Sequence, residues 1–186
     1  MGMCNTRESY GLITKLFHWS IAIVVILMLS LGPFMEDIPS DSIKTAAYTL
    51  HKSLGLTIFV LALCAFVWHW INPQPEDPST MPCWQHGLAK LVHLALYVLL
   101  MAMPISGLLM SVYAGHPPHY FWLFTVNLPL EKSEALAKQW NEYHQYIAWT
   151  LAILGSLHVL AALAHHFWYK DNILRRMMLR CCRKDK

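Results

Sequence analysis

Charge is what this sequence has least of. Only 13% of its 186 residues are Asp, Glu, Lys or Arg, against 56% hydrophobic, whereas a soluble domain carries about a quarter charged residues. That composition excludes an ordinary water-soluble domain, and no nucleic-acid partner is expected. The first apolar run is not expected to be a removable signal, because it is too long for an h-region and ends in GPFMED instead of a small-residue cleavage site. The five cysteines, Cys4, Cys64, Cys83, Cys181 and Cys182, form neither CxxC nor CxxCH. Covalent c-type haem attachment and an iron-sulfur cluster are therefore unsupported. No repeat of fixed period and no low-complexity tract interrupts the chain.

What is present is long uncharged runs. Four spans are predicted at about 16–35, 51–71, 86–112 and 141–169, each near or above the length that crosses hydrocarbon. The fold class is thus all-α, an integral membrane four-helix bundle, with residues 1–186 as a single domain. The tail after the last span holds Lys170, Arg175, Arg176, Arg180, Arg183, Lys184 and Lys186; basic residues stay inside, so both termini are expected in the cytoplasm of a bacterial inner membrane. Only Cys64 is then embedded and the other cysteines face the cytoplasm, where a structural disulfide is not expected. Cys181 and Cys182 read as a plain tail pair. Prolines stop the helices at INPQPEDPSTMP and AGHPPHYFWLFTVNLPLEKSEA, and the FWLF stretch of the longer outer loop is expected to lie back on the bundle mouth.

Eleven histidines in such a chain need an account, because ionisable groups inside a membrane are costly and usually functional. His144 and His158 are fourteen residues apart in one apolar stretch. Fourteen residues make close to four helical turns and rise about 21 Å, so both point the same way from opposite sides of the bilayer. His18 lies just inside the cytoplasmic end of the first span, at the level of His158; His51 opens the second span on the outer side, at the level of His144. A six-coordinate haem needs two opposed imidazoles at one height, which pairs His18 with His158 and His51 with His144. Two b-type haems in series follow. Gly55 and Gly155 are close enough to these positions to admit a flat macrocycle.

The other histidines sort by depth. His69 shares a face with His51 at the cytoplasmic level and could compete for the inner iron, but its place between Trp68 and Trp70 favours an interfacial or propionate-bonding role. His93 lies early in the third span without a partner at matching depth, which favours hydrogen bonding over ligation. His86, His116 and His119 fall in loops or span ends. His165 follows His158 by two turns on nearly the same face, about 10 Å nearer the cytoplasm, where an imidazole can bond a quinone carbonyl and shuttle its proton. Trp168 is placed to stack on or wall the quinone ring, and His166, rotated about a third of a turn away, is less well placed.

The motifs FHW at 17–19, LHKSLG at 50–55, HLALY at 93–97 and LHVLAALAHHFWYKDN at 157–172 resemble those of the bacterial cytochrome b561 family of four-helix dihaem membrane cytochromes. The resemblance covers essentially the whole chain and implies that His18, His51, His144 and His158 are axial ligands and that His165 is at a quinone site. It also implies electron exchange between the quinone pool, with ubiquinone as acceptor or donor, and a partner at the outer face; one type oxidises superoxide there. Family members tend to carry arginines fourteen and eighteen residues after the first ligand of the second helix, where this chain has Ala65 and His69. Inner propionate anchoring would then fall to Lys15, His69 or a tail arginine. The outer loops are net acidic and leave mainly Lys52, Lys132 and Lys138 to attract an anion.

Two functions are expected from this pattern. One is a superoxide:ubiquinone oxidoreductase; the other is a quinol-oxidising carrier, or membrane anchor of a dehydrogenase, serving a periplasmic redox protein. Lysines at an exposed outer haem edge favour the small anion, and an apolar patch around Phe121, Trp122 and Phe124 favours a protein. A non-redox transporter or structural subunit would require the histidine pairs to be accidental.

Overall fold

The computed structural model describes residues 2–76 and 81–179, and 72% of the chain is helical. Four helices are long and apolar enough to cross a membrane. The first, α1, is Leu12–Leu31 and runs on into a 3-10 turn, Gly32–Phe34, which carries Pro33 in its first turn. Next come α2, Asp41–Ile71, and α3, Cys83–Tyr113, with Pro104 inside it. Then α4, Glu134–Ala164, begins on an N-cap serine, Ser133, whose hydroxyl accepts the Leu136 N–H. A π-helical turn, His165–Tyr169, follows α4, and a short α5, Ile173–Met177, lies beyond it.

Two of these helices start earlier than hydropathy suggests. Ten polar or mixed residues, DSIKTAAYTL, precede His51 within α2, and α4 starts at residue 134, before the apolar run of 141. His51 therefore does not open its helix but lies about three turns in, as does His144. At 31 residues each, α2 and α4 are about 46 Å long, well beyond the roughly 30 Å of hydrocarbon.

The helices pack in chain order, α1 on α2, α2 on α3, and α3 along α4 most extensively. Ile21, Ala62 and Ala65 form the buried centre of the α1, α2 and α3 contact, with Phe17, Val25, Leu61, Leu100 and Met101 around it. Small side chains let the helix backbones approach closely where lipid gives no hydrophobic drive to association. Ala65 at this contact is 8% exposed, which leaves no room for a guanidinium there. By contrast α4 does not close onto α1 or α2 as it does onto α3. Large apolar residues such as Ile23, Ile26, Leu27, Val60, Ile153 and Leu160 point outward, as lipid-facing surfaces do.

Each end of the bundle is tied by polar contacts. At the end that holds both termini, the Asn5 carbonyl oxygen accepts the Gly11 N–H and the Thr14 hydroxyl at 2.9 and 2.6 Å, while its amide donates to Pro73 O at 3.0 Å. Trp19 Nε1 donates to Met177 O at 2.9 Å, joining the first helix to the last, and Arg176 donates to the Glu76 carbonyl. At the opposite end the 113–140 loop folds back as a hairpin of β1, His119–Tyr120, and β2, Phe124–Thr125. Phe121 and Trp122 take positive φ of 44° and 61°, and Leu123 N–H donates to Tyr120 O at 2.8 Å, the geometry of a type I′ turn. The fully buried Ser53 of α2 holds this hairpin, accepting the Phe121 N–H at 2.8 Å, with its hydroxyl 3.1 Å from His119 O and 2.7 Å from Thr49 O. Of the FWLF stretch, Phe121 is tied to the bundle mouth through Ser53, while Trp122, Leu123 and Phe124 are exposed at the hairpin tip.

Removing that hydroxyl leaves two backbone groups of the hairpin without their partner, a loss of about 1–3 kcal/mol. Ser53→Ala should release the hairpin while the four spans stay folded. Limited proteolysis should then cut between residues 116 and 130 much faster than in the parent chain at unchanged circular dichroism.

Candidate functional site

The interior that α4 leaves open toward α1 and α2 is spanned by two pairs of imidazoles. His18 of α1 and His158 of α4 have ring centroids 6.3 Å apart, and His51 of α2 and His144 of α4 have theirs 6.4 Å apart. An iron bound by two imidazole nitrogens at about 2 Å each would set the centroids roughly 6 Å apart, so both pairs fit a bis-histidine haem. Among the described residues no group of three or more His, Cys, Asp or Glu is arranged to hold a bare metal ion. Pairwise ligation suits the arrangement, and cluster chemistry does not.

At the His51–His144 pair the surroundings favour ligation. His144 Nδ1–H donates to Ser106 Oγ at 3.0 Å, and the Ser106 hydroxyl donates in turn to Met103 O at 2.8 Å. This chain fixes the proton on Nδ1 and leaves Nε2 bare, the state a ligand needs. Two glycines flank the rings: a Cβ at Gly107 would lie 2.9 Å from His144 Cε1, and one at Gly32 would lie 3.9 Å from His51 Cε1. His51 Nδ1 is buried with no hydrogen-bond partner. Gly155 opens on empty space, and Gly55 meets only Met28 Cε at 3.9 Å. Ser106, Gly107 and Gly32 carry no sequence motif that marks them; they emerge only from the packing of α3 and α1 against the histidines.

The inner level holds three imidazoles. His93 of α3 has its centroid 5.3 Å from His158, which corrects the expectation that it lacks a partner at its depth. Because α3 begins at Cys83 and the π turn prolongs α4 to Tyr169, His93 and His158 are ten and eleven residues from their respective ends. A 5.3 Å separation is too short for an iron between the rings, given the roughly 6 Å that bis-imidazole ligation requires.

The remaining candidates are dispersed. His69 is exposed and stacks at 5.9 Å with Tyr97. Lys15 is 4% exposed and donates to Met178 O at 3.2 Å. Lys52 donates to His116 O at 3.0 Å, and Lys132 lies over Gly115, so two cations meet at one outer turn. His165 sits at the head of the π turn, where its Nδ1 is 2.6 Å from Asp171 Oδ2 and its ring stacks on Tyr169 at 5.1 Å. Trp168, next to Tyr169 in the π turn, is 85% exposed. Cys4, Cys64 and Cys83 are free and exposed, while Cys181, Cys182 and the basic residues from 180 onward lie outside the described residues.

A family model described as Prokaryotic cytochrome b561 matches residues 9–179. The chain belongs to the prokaryotic cytochrome b561 family. This b561 protein is 38% identical over 180 residues to "Cytochrome b561 homolog 2" of Escherichia coli strain K12, covering 96% of this chain and 95% of that one. It is 32% identical over 136 residues to "Cytochrome b561 homolog 1" of the same strain, covering 70% and 73%. To "Probable superoxide oxidase CybB" of Yersinia pestis it is 30% identical over 175 residues, covering 92% and 97%. Membership implies haem b and a membrane electron carrier, and four spans in a prokaryotic membrane cytochrome family fit a multi-pass inner membrane protein.

The glycine beside His144 yields a direct test. Gly107→Ala places a methyl group 2.9 Å from His144 Cε1 and should push the ring out of line, lowering haem content. Ser106→Ala, which loses the bond fixing the Nδ1 proton, should keep more haem than Gly107→Ala but shift its midpoint potential. Pyridine haemochrome assay and redox titration of the two purified variants check this order.

Proposed function

We propose that this b561 protein carries electrons across the membrane through two b haems, one held by His51 and His144 at the outer level and one by His18 and His158 at the inner level. Electrons enter from superoxide at the outer face and leave to ubiquinone beside His165. The observation that carries the reading is the repetition of one imidazole separation, 6.3 and 6.4 Å, at two heights of the same helix. Haem b supplies one-electron iron redox chemistry between such paired ligands. The chain's own contribution is to hold His144 deprotonated at Nε2 through Ser106, to set the facing imidazoles at ligand distance, and to place cations at the outer mouth. Lys52 and Lys132 at the 115–116 turn support attraction of a small anion there. At the inner end Lys15 is the described cation on the same helix as His18 and is the proposed propionate partner; exposed His69 is not needed for it. The basic tail orients both termini to the cytoplasm, and the four spans act as one domain.

A second reading rests on a separate observation. Trp122, Leu123 and Phe124 at the hairpin tip are 65%, 77% and 57% exposed, an apolar surface suited to a periplasmic redox protein in place of superoxide.

Purified protein should hold two b haems per chain, and His51→Ala or His144→Ala should each keep about half of that content. His18→Ala should strip the inner haem or make it five-coordinate, whereas His69→Ala should keep both. Full haem content in His144→Ala sinks the pairing. A superoxide pulse on the oxidised protein in the presence of a soluble ubiquinone should reduce haem within the pulse; no reduction by superoxide, with quinol-reduced haem reoxidised by a periplasmic redox protein instead, selects the second reading.

A further inference from the structure

The last turn of the inner end is built in an unusual way. Helix α4 gives way to a π turn at His165, and Lys170 then takes a left-handed conformation, φ 55° and ψ 30°. Such a backbone is uncommon outside glycine and costs about 1–2 kcal/mol, while π turns gather at functional sites. Here the bend sends the chain back on itself, so that Lys170 N–H and Asp171 N–H both donate to His165 O, the latter at 3.2 Å. Its result is a single side-chain contact. Asp171 Oδ2 meets His165 Nδ1 at 2.6 Å, and the other oxygen, Oδ1, caps Ile173 N–H at 3.1 Å, opening α5. Both side chains are mostly shielded, at 17% and 14% exposure. Among the described residues none bonds His165 Nε2.

We propose that Asp171 is a positioning residue for proton exchange at the quinone, acting through His165; the inference rests on the quinone reading above. The carboxylate holds the proton of His165 on Nδ1, so that Nε2 is the atom that exchanges a proton with the ligand. Reducing a quinone to its quinol takes two electrons, delivered singly from the haems, and two protons. For the quinone oxygen that faces His165, the Nε2–H bond of the charged imidazole breaks, an O–H bond forms, and the neutral ring is recharged from cytoplasmic water; the second proton goes from cytoplasmic water to the opposite oxygen. The Nδ1–H stays on Asp171 throughout. Quinol oxidation runs the same steps backwards, with bare Nε2 as acceptor.

Asp171→Asn separates this role from the capping role. An asparagine can keep Oδ1 on Ile173 N–H, but its amide then presents an N–H to His165 Nδ1, which must accept it, and neutral His165 carries its proton on Nε2. Reduced holoprotein should be mixed with a short-chain soluble ubiquinone in a stopped-flow instrument and haem reoxidation followed. Saturating rates should fall tenfold or more in Asp171→Asn, in keeping with the roughly 10²–10⁴-fold range of acid-base assistance. The ubiquinone concentration for half-saturation and both haem spectra should stay put, and Asp171→Glu should recover most of the rate. In ¹⁵N-histidine spectra of the diamagnetic reduced protein, the His165 proton should move from Nδ1 to Nε2 in Asp171→Asn. Adding Asp171→Asn to His165→Gln should slow the reaction no further.

A slow His165→Gln with an unimpaired Asp171→Asn overturns this inference and leaves the quinone reading standing. An equal slowing by Asp171→Asn in both backgrounds also overturns it, since the carboxylate would then be acting on the fold alone. A His165→Gln variant as fast as the parent removes the quinone from His165 and takes both ideas down.

Discussion

A bundle that must leave room for a flat group between imidazoles cannot close in the ordinary way. The helix pairs that carry facing histidines, α1 with α4 and α2 with α4, do not pack closely backbone to backbone, and the structure compensates on other sides. Alanines draw α2 against α1 and α3, and α3 packs on α4 more extensively than any other pair of spanning helices. Of α4 itself, only Leu151 is buried among the described residues, and it lies midway between His144 and His158. In a soluble protein so sparse an interior would be a defect of packing. In a b561 protein the prosthetic group is the missing core, and Leu151 is the partition between its two proposed places.

The two levels are furnished differently. Around His51 and His144 the protein has removed side chains and added a hydroxyl relay, with Gly32, Gly107 and Ser106 each leaving space or fixing a proton. Around His18 and His158 it has added a third imidazole, His93, and closed the end with buried Lys15 and the contacts of α5. Identical ligand chemistry in unlike surroundings is the means by which proteins separate the potentials of like centres, through polarity, hydrogen bonding and exposure.

Much of this was legible from composition and spacing, and the failures have physical causes. Hydropathy detects where a helix meets hydrocarbon, not where it ends, so α2 and α4 came out short by the polar turns at 41–50 and 134–140. The same shift at the start of α3 hid the match in depth between His93 and His158. That His18 faces His158 and His51 faces His144 was legible because fourteen residues nearly close a whole number of turns on α4 and depth on the other helices follows from counting. Asp171 was not, since six residues after His165 is no helical neighbour; it becomes one only through a π turn and a left-handed lysine. Nor does any pattern announce Ser106 or Gly107, whose meaning lies in what a neighbouring helix brings against them.

Both proposed ligand pairs draw one member from α4, and this has a bearing on biosynthesis. A ribosome delivers α1, α2 and α3 to the membrane with His18, His51 and His93 already in place, yet neither pair is complete until the fourth helix inserts, and Trp19 finds the Met177 carbonyl only when the final residues have emerged. A chain interrupted before Glu134 can form the alanine contact of its first three helices but cannot clamp a haem on two sides. On the proposed ligation, a haem is clamped by either pair only after α4 has joined the bundle.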